Sequence, residues 1–488
     1  MLWPIHTVIR GLYMVAVIGL FLYGINAYIM ILLHWWSRRR GPRAQPPKSP
    51  PTWPMVTVQL PLYNERYVAQ RLLEAVGALD YPTERLEIQV LDDSSDDTTD
   101  IVADAIAKLR QKGLTVVYLH RKERLGFKAG ALAAGLEQMA GDFVAIFDAD
   151  FVPAPDFLRQ TIPYFDDPRV AVVQARWGHL NRDHSLLTLA QSLAIDGHFG
   201  VEQSARCWGN LFLSFNGSAG VWRTAAIHDA GGWGSDTLTE DLDLSYRAQL
   251  RGWRILYLPH VVCLAELPVL ITALKSQQRR WAKGTTQTAI KLLPQVLRAP
   301  LPIWVKYQAC IQLTSYLIYP LILTVLLLLV PLFSIHDLAP PTAALGTLGV
   351  AFGLATFGPG SMLIYGQHVL YPAGWRRAWG LGVLMVLGIG ISWSICAALG
   401  SALWGKGWEF ERTPKFGIGA QGGAWKEKGY AERWPWGGVF EIGLGCYCAW
   451  TIWLAWDSAQ QGALPFLLLA LFGFWVVGVL TVLHTTNG

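Results

Sequence analysis

Charge is what this sequence is short of: only 15% of its 488 residues are Asp, Glu, Lys or Arg, against 52% that are hydrophobic. That balance excludes an ordinary soluble enzyme of this size and places part of the chain in lipid. The net charge of +5 is modest, and the basic residues sit beside apolar runs, so no nucleic acid or other polyanion is implied. Cysteine is scarce as well. Cys207, Cys263, Cys310, Cys396, Cys446 and Cys448 form no C-x-x-C pair and have no histidines at metal-site spacing, which leaves them as free thiols in core or membrane helices. Internal repeats and low-complexity tracts are absent.

What is present in quantity is the long uncharged run. Residues 11 to 37 carry no charge, enough for a helix to cross a bilayer core that needs about 20 residues. The run is too long for a signal-peptide core and ends in Arg38, Arg39 and Arg40 rather than at a small-residue cleavage site, so it reads as a membrane helix, 1–37. Residues 38–54 hold five basic residues, no acid and six prolines, a cytosolic linker by the positive-inside rule. The domain at 55–300 is therefore expected in the cytosol. Further uncharged runs at 307–335, 338–375, 378–405, 442–456 and 458–488 make 301–488 a membrane region, with four clear spans and the glycine-rich 378–405 set apart.

From Met55 to about Asp150, short β-rich runs (MVTVQL, EIQVL, LTVVYL, DFVAIF) alternate with helical patterns beginning near Glu65, Asp97 and Phe127. This alternation predicts a mostly parallel sheet with helices on both faces, whose ligands lie at the carboxyl ends of the strands. Polar clusters fall at those ends. Asp148 and Asp150, two apart after VAIF, project to one side in extended chain and suit Mg2+ or Mn2+. Asp92 and Asp93 open the turn D-D-S-S-D-D, where a carboxylate meets a base or ribose, or a helix is capped. Lys128 in G-F-K-A-G-A-L stands at a helix start, a phosphate-binding arrangement or a solvated face.

Two further clusters follow. Thr239, Glu240 and Asp241 precede a helical pattern whose dipole favours an ionised carboxylate, the form a general base needs, while Thr239 alone would satisfy capping. In Q-Q-R-R-W, residues 277 to 281, a fixed cation for a diphosphate stands beside an indole that stacks on a sugar. An interfacial membrane helix explains the same residues.

Together these clusters resemble the D, D-x-D, T-E-D, Q-x-x-R-W set of processive family 2 glycosyltransferases, from about Val56 to Gly284: Asp93, Asp148 with Asp150, Thr239 to Asp241, and Gln277, Arg280 and Trp281. The wording between them is similar to cellulose synthase-like glucomannan and glucan synthases of plants and their bacterial relatives: P-L-Y-N-E at 61–65, V-L-D-D-S at 90–94, F-D-A-D-F at 147–151, Q-A-R-W at 174–177 and F-N-G-S-A-G-V-W-R at 215–223. The resemblance implies a GT-A-like α/β nucleotide-sugar-binding domain in the cytosol plus an α-helical transmembrane region. It implies an inverting, metal-dependent hexosyltransferase that builds a β-linked polysaccharide, with β-1,4 favoured, from UDP-glucose or GDP-mannose. Glu65, Asp92, Asp93, Lys128, Gln277 and Arg280 would hold the nucleotide sugar, Asp148 and Asp150 a Mg2+ or Mn2+ ion. Asp241 would be the base, with Thr239 and Glu240 beside it, and Trp281, Phe215, Asn216, Gly217 and Ser218 would meet the acceptor.

F-E-R-T-P-K at 410–415 is similar to the F-x-V-T-x-K gating segment of bacterial cellulose synthases, so Phe410, Thr413 and Lys415 are expected at the nucleotide, with Arg412 in place of valine. One amino-terminal span where those enzymes have more, and no carboxyl-terminal regulatory domain, are the departures. The expected partners are a nucleotide sugar, a glycan or lipid acceptor and the bilayer, in the plasma membrane or, in a eukaryote, the Golgi. A non-processive lipid glycosyltransferase making a glycolipid is the runner-up. A transporter with a sensory domain has no use for a base and a stacking indole beside a metal site.

Charge also fixes an expected topology. If 378–405 crossed after two earlier spans, the loop 406–436, with six Lys and Arg from Lys406 to Arg433 against four acids, would lie outside. Positive-inside bias and the F-E-R-T-P-K match both put it inside, so 378–405 is expected to be an interfacial or re-entrant helix. A cysteine placed at Gly422 should then react with an impermeant thiol reagent only after cells are permeabilised. Labelling of intact cells from outside would make 378–405 a true span.

Overall fold

The computed structural model describes residues 3–39, 47–334, 342–405, 412–418, 436–457 and 461–486. Eight strands form one mixed sheet: β1 (Val56–Leu62), β2 (Leu86–Asp92), β3 (Thr115–His120), β4 (Phe143–Ile146), β5 (Phe151–Val152), β6 (Val170–His179), β7 (Gly220–Arg223) and β8 (Arg254–Ala265). Their spatial order is β3-β2-β1-β4-β7-β6-β8-β5. The half built from the first four strands is parallel, as the alternation predicts, with Val58 opposite Ile88 and Ala145. β7 then runs antiparallel to both β4 and β6, so the complete sheet is mixed beyond the parallel half.

Helices cover both faces. Val58, Leu60, Ile88 and Val90 pack with Leu72, Leu73, Val102 and Ile106 on one side. Leu91, Val144, Ile146 and Trp222 pack with Leu132, Leu136 and Leu244 on the other. The alternation V-T-V-Q-L would suit a strand with a wet face, yet Thr57, Gln59, Glu87 and Gln89 are buried as well. They bond to one another: Thr57 Oγ1 donates to Glu87 at 3.2 Å, Gln59 Nε2 to Gln89 at 3.0 Å, and Gln89 Nε2 to Glu87 at 2.9 Å.

Four described helices are long and apolar enough to cross a membrane, His6–Ser37, Ser315–Ser334, Trp436–Asp457 and Gln461–His484. The pair Gly380–Gly390 and Ser392–Leu403, bent by 44°, would be a fifth if it counts as one span. The uncharged run 307–335 is not one helix. It breaks after Leu313, and the first part, Ile303–Leu313, stays on the sheet domain, where Arg206 donates to the Gln308 carbonyl at 3.4 Å. Thr342–Leu370 lies along Trp3–Ser37 so closely that a Cβ at Gly358 would fall 2.2 Å from the Gly24 carbonyl oxygen. A Cβ at Gly390 would likewise meet the Gly473 carbonyl at 2.3 Å. Backbones approach this way where small residues replace the hydrophobic drive that lipid removes.

The long helix Ile271–Arg298 joins the two parts. Its one face carries Ile271, Leu274 and Ala282 against Ile391, Ile395 and Leu399 of the bent pair and Val477 of the last helix. On that helix, Lys275 Nζ is 2.7 Å from Glu441 Oε1 and donates to Thr481 Oγ1 at 3.2 Å, all buried. The buried pair thus pins the last two membrane helices to the helix that carries Gln277, Arg280 and Trp281.

Removing one partner of such a pair strands a buried charge, at a cost of about 3–5 kcal/mol, whereas replacing both by apolar groups is close to neutral. Lys275→Met should therefore lower the thermal midpoint in detergent, and Lys275→Met combined with Glu441→Leu should regain most of the loss. A double variant no more stable than the single one would show that the pair does not hold these helices.

Candidate active site

The segment Thr239–Asp241 is set by the long helix beneath it. Gly284 of that helix packs so tightly that a Cβ there would lie 2.6 Å from Thr239 Cγ2, and Leu238 N donates to Gln287 Oε1 at 3.0 Å. Thr239 takes the position before helix Glu240–Leu250, but its hydroxyl pairs with Thr288 Oγ1 at 3.1 Å and makes no capping bond. Capping by Thr239 is thereby overturned, because the long helix offers the hydroxyl a better-placed partner. The Asp241 carboxylate accepts from the Leu242 amide at 2.8 Å and reaches toward Gly217, where a Cβ would come within 2.8 Å of Asp241 Oδ2. Gly217 has φ 81, a backbone that only glycine adopts without strain, so that turn supports the close approach. Burial first, and the charge of Glu240 next, raise the Asp241 carboxyl well above the usual carboxylate range.

Asp148 and Asp150 do not continue an extended strand. β4 ends at Ile146, and the chain turns so that Phe151 N donates to Asp148 O at 3.0 Å. The projection of both carboxylates from one side of a strand is thus corrected to a turn, although both still line the cavity. Each has an ammonium: Lys128 Nζ is 2.5 Å from Asp148 Oδ1 and Lys415 Nζ 2.6 Å from Asp150 Oδ2. Lys128 is also 3.6 Å from Glu240 and donates to Gly217 O at 2.9 Å. It stands inside the carboxylate cluster, where burial opposes its charge and Asp148 and Glu240 keep it protonated.

Seven Asp and Glu against five Lys and Arg line this cavity of about 170 Å³, an excess of two acidic residues. Hard oxygen donors with that excess fit a divalent cation, for which Asp148 and Asp150 would be the protein's ligands. Among the described residues no group of three or more His, Cys, Asp or Glu is arranged as a metal cluster, so further ligands would come from a bound diphosphate or water.

At the carboxyl end of β2, where a nucleoside is expected, Asp92 and Asp93 point oppositely, as consecutive residues at a strand end do. Asp92 is fully buried and accepts from Ser94 N at 2.9 Å, Thr99 Oγ1 at 3.2 Å, Tyr118 OH at 2.8 Å and His120 Nδ1 at 3.2 Å. It supports the loop and cannot touch a nucleoside, which corrects its expected role. Asp93 lines the cavity, held by Arg121 through bonds of 2.7 and 2.6 Å. The expected set also lacked Arg124, whose guanidinium stands 3.5 Å from the centre of the Tyr63 ring. A cation on an aromatic face beside a carboxylate makes a platform for a planar base. Tyr63, in P-L-Y-N-E, was the available signal.

Residues 412–418 cross the cavity. Arg412 donates to both oxygens of Glu65, at 3.0 and 2.7 Å, so Glu65 faces a guanidinium where a nucleotide sugar was expected. The departure from valine at 412 thus has a partner. Lys415 also donates to Glu266 O, and Phe416 N to Glu266 Oε1 at 2.9 Å. Thr413 is buried at the cavity wall with its hydroxyl unpaired among the described residues. Phe410 lies outside the described residues, as does most of loop 406–436.

A second cavity of about 530 Å³ runs among the membrane helices, lined by Tyr23, Tyr316, Tyr319 and Leu384 among others. Asp241, Trp281, Gln277 and Asn216 line both cavities; Arg280 lines the first. Phe215 is 1% exposed and stacks edge-on against Trp222, and Ser218 is buried with its hydroxyl accepting from Asp148 N at 2.9 Å. The expected acceptor contact of Ser218 is corrected to support from behind, because the chain faces inward there, whereas Phe215, though buried, still lines the second cavity. Asn216 and Gly217 remain at the junction.

Residues 52–284 match the family described as "Glycosyltransferase like family 2". Over 251 residues the chain is 44% identical to glucomannan 4-beta-mannosyltransferase 2 of Arabidopsis thaliana, covering 50% of this chain and 47% of the relative. It is 43% identical to glucomannan 4-beta-mannosyltransferase 1 of Oryza sativa subsp. japonica over 260 residues, 52% and 50% of the two chains. The chain thus spans about half the length of these curated relatives. Among solved structures, mannosyltransferase PcManGT from Pyrobaculum calidifontis, in complex with GDP-Man and Mn2+, aligns with TM-score 0.53 at 22% identity over 81% of this chain and 100% of that one. At that identity the likeness is one of fold.

Two outcomes follow from the site. Asp150→Ala should abolish sugar transfer, and chelation of the wild type should do the same until Mn2+ or Mg2+ is returned; full turnover in metal-free buffer contradicts the ligand assignment. A base must be ionised to accept a proton, so a raised Asp241 loses activity as pH falls through a range above the ordinary carboxylate value of about 4. The rate at saturating donor should drop between about pH 8 and 5. A profile flat across that interval removes Asp241 as the base.

Proposed function

We propose, from a chain whose residues 52–284 form a family 2 glycosyltransferase domain of the cellulose synthase-like kind, that it transfers a hexose from a nucleotide sugar onto a growing β-linked polysaccharide. The observation that carries this reading is the junction of the two cavities at Asp241 and Trp281. One cavity has the charges and the aromatic platform for a nucleotide diphosphate; the other leads from the same two residues into the membrane helices.

In this reading Tyr63, Arg124 and Asp93 receive the base, and Arg280, Thr413 and Lys415 face the diphosphate. A divalent cation bound by Asp148 and Asp150 would neutralise charge on the leaving diphosphate. Asp241 takes the proton from an acceptor hydroxyl, whose oxygen attacks the anomeric carbon opposite the diphosphate. The bond from that carbon to the diphosphate oxygen breaks, and the diphosphate leaves with the electron pair. In-line attack on an α-linked donor inverts the centre and gives a β linkage. Trp281 supplies a flat apolar face for the acceptor ring. The relatives' names favour mannose and a 1,4 linkage, which makes GDP-mannose the first donor to test and UDP-glucose the second.

The second cavity gives the product a path, so translocation through the membrane helices belongs to the proposal, with the sheet domain in the cytosol. The apolar wall of that cavity, with Leu384, Leu387 and Ile391, would also suit a lipid acceptor, which keeps single transfer to a lipid as the rival.

Membranes holding the protein, incubated with labelled GDP-mannose, UDP-glucose and UDP-N-acetylhexosamine, should convert one donor into a polymer cut by a linkage-specific β-glycanase. Label found only in short products soluble in organic solvent would replace the polymer with a glycolipid. Asp241→Asn should bind donor as the wild type does while transfer falls by about 10²–10⁴-fold. Trp281→Ala should shorten the product and leave nucleotide affinity unchanged. Reduced nucleotide affinity with unchanged chain length would take the indole away from the acceptor.

A further inference from the structure

The last turns of helices Trp3–Ser37 and Thr342–Leu370 meet, with His34 Nδ1 3.0 Å from Tyr365 OH. The first of these helices ends there in exposed Trp35 and Trp36, and the guanidiniums of Arg38 and Arg39 stand 5.9 and 5.6 Å from the centre of the Trp35 ring. Trp beside Arg at a helix end marks the headgroup layer of a bilayer. The chain after Leu370 therefore leaves the membrane helices at that layer, and it turns sharply. Tyr371 N donates to Gln367 O at 3.1 Å, Ala373 takes the left-handed φ of 56, and Gly374 packs on Gln367 O with no room for a Cβ. The short helix Gly374–Arg377 is thereby folded back on Tyr371.

Three cations converge on the Tyr371 ring: Arg182, Arg377 and Arg176 stand 4.5, 4.9 and 6.0 Å from its centre. A single carboxylate answers them. Asp196, fully buried, accepts from Gln367 Nε2 at 2.7 Å, Tyr371 OH at 3.0 Å and Arg182 at 3.2 Å, and lies 3.0 Å from His179 Nε2. The Tyr371 hydroxyl accepts in turn from Arg182 and, at 3.4 Å, from Arg176, which uses its full bonding capacity. Among the described residues, the ion pairs of Asp196 are with His179 and Arg182, and Arg176, Arg376 and Arg377 have no acid in reach. Nη1 of Arg377 is buried without a hydrogen-bond partner among them. Arg376 faces outward, 6.0 Å from the Trp375 ring, and Trp375 and Trp379 are each 61% exposed.

Four guanidiniums against one carboxylate, set between exposed indoles at headgroup depth, need an anion. A guanidinium presents a fork of N–H groups that matches phosphate, and basic pockets beside membrane helices take anionic headgroups. We propose that Arg376 and Arg377, flanked by Trp375 and Trp379, bind the phosphate of an anionic phospholipid in the leaflet that faces the sheet domain. The two indoles favour a lipid over a soluble anion, since they supply the apolar contact that glycerol and acyl chains use. The bound lipid braces the joint at Tyr371 and, through Asp196, His179 at the wall of the first cavity. The inference holds whichever sugar is transferred.

The test places the full chain in nanodiscs of phosphatidylglycerol and phosphatidylcholine in equal parts with the same acyl chains, extracts it in mild detergent and counts the retained lipids by mass spectrometry. The wild type should retain phosphatidylglycerol in preference. Arg376→Gln combined with Arg377→Gln should lower that preference by about tenfold or more, since each basic residue at an anionic surface contributes about fivefold. Arg376→Lys combined with Arg377→Lys, which keeps the charge, should hold most of it. Arg38→Gln combined with Arg39→Gln removes the same charge from the same layer and should leave the preference as in the wild type. The thermal midpoint of the wild type should be higher in phosphatidylglycerol than in phosphatidylcholine, as for any ligand of the folded state, and the difference should vanish in the Arg376 and Arg377 glutamine pair. A wild type without preference overturns the site, and so does an equal loss in the two glutamine pairs, which leaves only diffuse attraction. Inorganic phosphate that raises the midpoint in phosphatidylcholine as far as phosphatidylglycerol does would replace the lipid with a soluble anion.

Discussion

Carboxylates can crowd this cavity only because a cation stands beside them. Lys128 holds Asp148 and Glu240, Lys415 holds Asp150, Arg412 holds Glu65 and Arg121 holds Asp93. Burial and like charges still raise the Asp241 carboxyl, and the cations limit that rise. The cations come from distant parts of the chain, so the arrangement also ties together the helix after β3, the sheet and the segment that follows the membrane helices. A buried charge without its partner costs about 3–5 kcal/mol, which makes each pair a condition for the others. The site is therefore folded as a unit, and its excess of acidic groups over cations would suit a divalent ion.

Most of the sheet was legible in the sequence, and the reason is local. β1 to β4 follow the runs MVTVQL, EIQVL, LTVVYL and DFVAIF to within two residues, since β-rich runs bounded by turn residues need no distant partner to be recognised. β7 was not legible: Gly220–Arg223 has four residues, and it reverses direction because its neighbours on both sides accept it there. The site divides the same way. Residue types at motif positions placed Asp93, Asp148, Asp150, Asp241 and Trp281 at one cavity, whereas Asp92 faces away because side chains alternate at a strand end. Arg121, Arg124 and the Arg412–Glu65 pair were hidden, as each depends on a contact across the fold.

The groups proposed to carry the reaction sit on elements that are clamped to each other. Gly284, Gln287 and Thr288 of the long helix fasten the segment that bears Asp241, and the same helix carries Trp281 three residues earlier than Gly284. Asp241 and Trp281 therefore keep a fixed relation, as the proposed in-line transfer would require. Lys275 on that helix holds the last membrane helices, so the wall of the second cavity is coupled to the groups that use it.

The contact between Glu65 and Arg412 also counts membrane crossings. Its two nitrogen–oxygen distances are 3.0 and 2.7 Å, while a bilayer's hydrocarbon core is about 30 Å thick. Both residues must face the same compartment, so the chain between them crosses an even number of times. Between the sheet domain and Arg412 lie three stretches without Asp, Glu, Lys or Arg that form helix: Ser315–Ser334, Thr342–Leu370 and the pair broken at Ile391. Three is odd. At least one of them must therefore enter the bilayer and leave by the same face, or lie along it; the pair Gly380–Gly390 and Ser392–Leu403, bent by 44° as a broken span or a re-entrant loop is, is one candidate. An ion pair inside the cavity thus acts as a parity check on helices that never touch it.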